Sequence, residues 1–263
     1  MNERRSFPLI SQLPKLLDAS DWSWQKPPQR EGRFGMSPEW WIGRDREGRK
    51  WLVKMRNGFY AYREHVFASL AQRLGISCQS SAYLLIESEE AEPRLHTRCS
   101  EPWQLALCLM DEHATQPCSA ACVMSDIFGK ATDFAAIRHA QVSGIAHFED
   151  LVRGDALGYL CGQFEPHGHF FTRDHEYVVI DNECMFAGTP GLNGCHWHEC
   201  DAARQLIIEV CRGLVHTTDQ ELHELAAIPE GYTISNGRDL CDDLRGAKAA
   251  AVEYLDLFDD TIS

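Results

Sequence analysis

Residues 62–86 read YREHVFASLAQRLGISCQSSAYLLI, and the passage changes character halfway along. Val66, Phe67, Leu70 and Leu74 recur at helical spacing over 62–75, and Gly75 is suited to end the helix in a left-handed conformation. Beyond it, AYLLIES (82–88) is a short apolar run with strand character.

On the N-terminal side of this passage, WWIGRD (40–45) and RKWLVKM (49–55) also read as strands. Asp45–Gly48 supplies a turn between them, so the pair is predicted to be a hairpin. On the other side, WQLALCLM (103–110) is a fourth strand. WSWQKPP (22–28) and the polar stretch 87–102 read as loops. The first 110 residues therefore run strand, strand, helix, strand, strand. The remainder is mostly helical, with apolar periodicity over 131–152, 201–215 and 239–258. One predicted hairpin interrupts it, HFFTRDHEYVVID (169–181), turning near Arg173–Glu176. The expected class is α+β: a small mixed β lobe over 1–112 and a mainly helical lobe over 113–263 carrying the inserted hairpin. No internal repeat is present.

Composition bounds the function. The 263 residues are 44% hydrophobic and 24% charged, ample for a buried core. No apolar run approaches membrane-spanning length, and the N-terminal stretch lacks the apolar core of an export signal, so a cytoplasmic protein is expected. Eleven cysteines lie mostly in apolar runs and read as reduced, buried thiols. A net charge of −14 argues against broad nucleic-acid binding, which needs clustered Lys and Arg on phosphates. Residues 1–56 nonetheless hold 12 basic against 7 acidic side chains, leaving room for a local anion site there.

A small β lobe followed by a helical lobe with one inserted hairpin is the layout of a kinase, and charged residues fall where phosphoryl transfer needs them. Lys54, closing WLVKM, can reach phosphate oxygens as a point charge, and Glu64, ten residues later near the start of the 62–75 helix, is its natural partner. Ordinary solvated surface charges are the plain alternative. Asp181, delivered by YVVID at the end of the hairpin, suits Mg²⁺ that bridges phosphate oxygens, although Asp-Asn after a strand is also a common turn. Between them, GQFEPHGHFF (162–171) occupies the place of a catalytic loop. Kinase chemistry asks there for an Asp and an Asn, whereas this loop offers Glu165, His167 and His169. Glu can replace Asp as a base, and His can bind a divalent metal, though Mg²⁺ prefers oxygen. EGRFGMS (31–37), with Gly32 and Gly35, is either a phosphate-covering loop or a simple turn.

With these residues in place, the chain resembles the HipA-like and phosphoinositide-kinase-like branch of atypical kinases. The resemblance rests on WLVKMR with Lys54, on REHVFASLAQRLGISCQSSAYLLI with Glu64, and on VVIDNECMF with Asp181, and it spans about residues 32–215. It implies ATP in the cleft, Lys54 on phosphate, Glu64 as its partner, Asp181 on Mg²⁺, and LCLMDEH (107–113), with Met110 and Glu112, as the hinge beside adenine. In that family the loop before the metal-binding Asp resembles Asp-x-His-x-x-Asn. Placing His167 on its His puts Glu165 at the catalytic Asp and leaves His169 one residue out of register with the Asn. Placing His169 on the Asn puts Phe164 at the catalytic position and abolishes activity. The implied activity is transfer of the γ-phosphoryl group to a Ser or Thr hydroxyl of a protein or of the chain itself.

Two alternatives keep the fold: a pseudokinase that binds nucleotide or a protein partner without transfer, and a small-molecule kinase. For the first, the acidic C-terminal segment (Asp242, Asp243, Glu253, Asp256, Asp259, Asp260) offers either a docking face for a basic partner or a solvated surface. Other chemistry is weaker. Cys195, His196, His198 and Cys200, with Cys184 or with Cys118 and Cys122, could form a zinc site, but their spacing is not that of a zinc ribbon. Eleven cysteines and twelve histidines make a nucleophile pair expected by chance. Trp22, Trp24, Trp40 and Trp41 form either a stacking platform or core.

Overall fold

The computed structural model describes residues 9–25, 40–54, 58–85, 103–109, 149–163, 168–171, 177–180, 184–195, 197, 201–232, 234 and 238–259. The chain divides into two compact units. One comprises Met1–His65, Gln79–Thr115 and Ile228–Arg238, the other Val66–Cys78, Gln116–Ala227 and Asp239–Ser263.

The first unit contains a six-stranded sheet built from β1 (Leu16–Asp18), β2 (Ser23–Gln25), β3 (Trp40–Arg44), β4 (Lys50–Lys54), β5 (Ser81–Leu85) and β6 (Trp103–Leu109). Their order is β1-β5-β6-β4-β3-β2, with β1 parallel to β5 and every other pairing antiparallel. The β3–β4 hairpin forms as predicted. Asp45 makes its turn: the Gly48 N–H donates to the Asp45 carbonyl at 3.0 Å, and Gly48 takes a φ of 80° that favours glycine. The Asp45 carboxylate accepts both the Arg49 backbone N–H and the Trp51 indole N–H at 2.8 Å.

The expected loop over 22–28 is corrected for Ser23–Gln25, which form β2 against β3. Three residues are too few to display an alternating pattern, and the pairing is fixed by packing. Trp22 lies over Gly43, where a Cβ would collide with its ring, and its ring centroid is 5.9 Å from that of Trp51. Trp22 and Trp51 are core, joined by Leu13, Ala19, Val53, Ala82 and Leu84. Each large apolar side chain so buried contributes roughly 1.5–3 kcal/mol.

The decisive passage forms α1 (Gly58–Arg73) followed by β5, and the division between the units falls within α1. The helix starts four residues before the expected Tyr62, because Phe59 and Ala61 are buried along with Tyr62, Val66, Phe67 and Leu70 and extend the apolar surface backward. It ends as anticipated. Gly75 has φ 75°, its N–H bonds to the Gln72 carbonyl at 3.0 Å, and the Ile76 N–H reaches the Ala71 carbonyl at 2.9 Å, a Schellman closure.

The second unit contains the end of α1, a two-stranded sheet of β7 (Gly168–Phe171) and β8 (Tyr177–Ile180), and four further helices among the described residues: α2 (Glu149–Leu160), α3 (Asp201–His216), α4 (Asp219–Ala226) and α5 (Cys241–Asp259). Of the helix expected over 131–152, residues 131–148 lie outside the described residues. The described part extends to Leu160 rather than ending at 152, with Leu151, Val152, Leu157 and Leu160 buried. The hairpin 169–181 is present as β7–β8, and its turn lies outside the described residues. The α3 stripe of Ala203, Ile207, Val210, Cys211 and Leu214 is buried, and α3 packs against α2 and α5. The short α4 carries a capping box: Thr218 accepts from the Glu221 N–H, and Glu221 accepts from the Thr218 N–H. No helix among the described residues is long and apolar enough to cross a membrane.

Candidate functional site

In the first unit, Lys54 is the last residue of β4, paired in register with Trp40 of β3 and Leu105 of β6. Glu64 lies in the second turn of α1 and is 2% exposed. A carboxylate buried this deeply is not an ordinary surface charge, because burial without cationic or hydrogen-bonding partners is strongly unfavourable. Its neighbour His65 is buried too, with Nδ1 2.9 Å from Ser81 Oγ and its ring 4.3 Å from that of Tyr83. Burial, assisted by the positive charge of Lys15, holds His65 down to about 3, so the ring is neutral at physiological pH. Tyr83 in turn meets Tyr232 at 4.5 Å, which brings the 228–238 segment into this unit.

In the second unit the described residues tie together the flanks of the two predicted catalytic segments. α2 ends in another Schellman closure: Gly162 has φ 63°, its N–H bonds to the Tyr159 carbonyl at 3.0 Å, and the Gln163 N–H bonds to the Gly158 carbonyl at 2.9 Å. Carbonyls just past this end then receive the chain that follows Asp181. The Phe186 N–H donates to Cys161 O at 2.8 Å, and the Ala187 and Gly188 N–H groups both donate to Gly162 O, at 3.1 and 2.7 Å. On the other side, Gly168 pairs with Ile180 and His169 with Val179. The described residues that flank 164–167 and 181–183 are thus fastened to each other on both sides. Phe186 is buried and holds a φ of 58°, a left-handed conformation that a bulky residue adopts at a cost and that concentrates at functional sites.

Strand β8 is held on its other edge as well. The Val179 N–H donates to the Ser77 carbonyl at 2.9 Å, and Cys78 forms a parallel bridge to Val179. The Ser77 N–H donates to Asp150 Oδ2 at 2.7 Å, and Asp150 Oδ1 accepts from Arg153 at 3.1 Å. Arg153 also donates to Glu209 at 2.9 Å.

Of the predicted site residues, Gly32, Gly35, Met110, Glu112, Glu165, His167 and Asp181 lie outside the described residues. Lys54 and His169 are placed by backbone register, and Glu64 by its burial. Sequence reasoning missed Asp150, Ser77 and Phe186.

Cys195 is buried, and burial pushes its thiol up to about 12. Among the described residues no group of three His, Cys, Asp or Glu could hold a metal ion, while Cys118, Cys122, His196, His198 and Cys200 lie outside them. Among the described residues a Cys–His pair is formed by Cys241 Sγ and His223 Nδ1 at 3.4 Å, but Cys241 is buried and desolvation raises its pKa.

No known protein-family pattern matches the chain, and no curated protein matches it. Among solved structures, the chain is similar to a proinflammatory kinase of Helicobacter pylori, CtkA. The TM-score is 0.51 at 9% sequence identity, covering 90% of this chain and 93% of that one. At this identity the likeness speaks for the fold alone. The chain has a kinase-like fold of mixed α and β structure.

Proposed function

We propose that the chain is an ATP-dependent atypical kinase of the HipA-like type, two-lobed with an N-lobe over 1–112 and a C-lobe over 113–263. It transfers the γ-phosphoryl group to a Ser or Thr hydroxyl of a protein or of itself, in the cytoplasm. The observation that carries this reading is the double fastening in the second unit, where Gly168–Ile180 pairing and the Cys161–Gly162 carbonyls join the flanks of the Glu165–His167 loop and of Asp181.

The burial of Glu64 supports a nucleotide site in this reading. Glu64, buried in α1, is the carboxylate that a phosphate-binding lysine in the same unit needs, and Lys54 ends the strand that precedes it. ATP with Mg²⁺ would supply the transferable phosphoryl group and the cation that offsets charge on its oxygens. Lys54 would place a point charge on the phosphates, with Glu64 fixing its direction. Met110 and Glu112 would lie beside the base, and Gly32 and Gly35 would offer backbone N–H groups to the phosphates. Asp181 would offer oxygen to the metal, with His169 as a second ligand. Glu165, or His167, would orient the acceptor hydroxyl and take its proton. Catalysis of this kind is mostly positioning and electrostatics.

The replacement of the usual Asp by Glu165 specifically favours one second reading, a pseudokinase that keeps nucleotide binding without transfer. Magnesium-dependent ATP turnover and a phosphoryl mass increment on the protein or on a Ser/Thr substrate test the choice. The kinase reading predicts both, each lost in Lys54→Ala and in Glu165→Gln. Nucleotide binding with no turnover in the wild type would favour the pseudokinase. Transfer to a small molecule only would shift the acceptor class.

A further inference from the structure

We propose that Asp150 is a positioning residue for the metal-binding end of β8, acting through the backbone of Ser77. This role rests on the kinase reading, in which Asp181 holds the metal.

The two edges of β8 are restrained differently. Along one edge it pairs with β7, a two-stranded contact that is weak by itself. Along the other its contact is Ser77–Cys78, with the Val179 N–H on the Ser77 carbonyl at 2.9 Å. Val179 lies two residues before Asp181 in the sequence, so this peptide holds the strand close to its end. Ser77 lies in the turn between Gly75 and β5, and the passage itself gives it no regular secondary structure. Asp150 anchors it. The Asp150 side chain is 3% exposed, accepts the Ser77 N–H at 2.7 Å, and is held on its other oxygen by Arg153 at 3.1 Å. A carboxylate accepting a backbone N–H is a strong, directional bond, and its counter-ion Arg153 is steadied in turn by Glu209. The chain of contacts Arg153, Asp150, Ser77, Val179 thus runs from the surface of α2 to the strand that precedes Asp181. Groups that orient a metal ligand without touching the metal typically change metal affinity 10–100-fold when removed.

The test measures the Kd of a non-hydrolysable ATP analogue in EDTA and in saturating Mg²⁺ for wild type, Asp150→Ala, Asp150→Asn and a control, Leu214→Ala, which removes a buried side chain of α3 in the same unit. The proposal predicts that Asp150→Ala loses about tenfold of the tightening by Mg²⁺ while its Kd in EDTA is unchanged. Asp150→Asn, which keeps an oxygen for the Ser77 N–H, should recover to within about threefold of wild type on the same scale. Leu214→Ala should keep wild-type tightening despite its lower melting temperature. If Asp150→Ala does not fold, Arg153→Met decides, with an expected loss of about two- to threefold against none if the contact chain is merely structural. Unchanged tightening in a folded Asp150→Ala overturns the positioning role and leaves the kinase reading intact. A wild type whose nucleotide affinity ignores Mg²⁺ overturns both.

Discussion

The Gly188 N–H donates to the Gly162 carbonyl at 2.7 Å, and the two backbones pass so closely that a Cβ on Gly162 would lie 2.5 Å from the Gly188 carbonyl oxygen. Gly162 also takes φ 63°, so a side chain there is both strained and obstructed by backbone that cannot swing aside. Gly75 offers the control, with φ 75° and nothing within 4 Å of a built Cβ. Gly75→Ala should cost about 1 kcal/mol, the conformational penalty alone. Gly162→Ala should cost about 2–4 kcal/mol, because overpacking adds to it. Urea unfolding of both variants checks the ranking. Equal losses would show that the 162–188 contact yields easily.

Asp155 and Trp197 set a pH dependence in the second unit. The Trp197 indole N–H donates to Asp155 Oδ2 at 2.9 Å, yet burial outweighs that bond and lifts the Asp155 carboxyl from 3.8 to about 6. The folded state therefore binds the proton more tightly than the unfolded chain. The contribution to stability is present below pH 4 and is lost as pH rises through 6, by at most about 3 kcal/mol. Asp155→Asn, which keeps an oxygen for Trp197, should flatten this part of the stability profile and be more stable than wild type at pH 7.5. Chemical denaturation at pH 4.5 and 7.5 reads the difference. An unchanged slope would mean that Asp155 ionises freely when folded.

His65 has the opposite sign. Held down to about 3 by burial, it stays neutral in the folded state while the unfolded chain takes up a proton near 6.5. Stability should fall as pH drops from 6.5 toward 3, reaching a loss of about 2 kcal/mol at pH 5 from this group. His65→Gln should lower stability at pH 7.5, since it disturbs the contact with Ser81, but should unfold with a shallower acid limb. Histidine C2-proton titration gives the site directly, and a His65 resonance titrating near 6.5 would contradict its burial.

Where the sequence declared itself, it did so through residues whose chemistry permits few alternatives. Asp45 and Gly48 fixed the β3–β4 hairpin because one supplies the acceptors of the turn and the other its positive φ. Gly75 marked the end of α1 for the same reason. β1 and β2 escaped notice because three residues cannot show a period, and Trp22 settles beside β2 by packing on Trp51 and Gly43, partners that only the fold brings near. The α4 helix went unpredicted, because its eight residues are a short window for periodicity, and the Thr218–Glu221 capping box that starts it was not read. Gly154 and Gly158 masked the continuation of α2 to Leu160. At the proposed site, Lys54 and Glu64 stand where the sequence put them, at the end of β4 and on α1, whereas Asp181 lies outside the described residues. The Asp150–Ser77–Val179 chain was not legible, because two of its three members act through backbone groups that every residue possesses.

The proposed binding of ATP with Mg²⁺ through Lys54 and Asp181 is open to thermal unfolding with and without millimolar nucleotide and metal. A ligand at about 100 times its Kd adds about 2.7 kcal/mol to the native state, so wild type should melt about 5–10 °C higher with both present. Lys54→Ala and Asp181→Asn, folded in its absence, should lose that shift. A wild-type melting temperature indifferent to the nucleotide, or a full shift retained by both variants, would rule out nucleotide binding through these two residues.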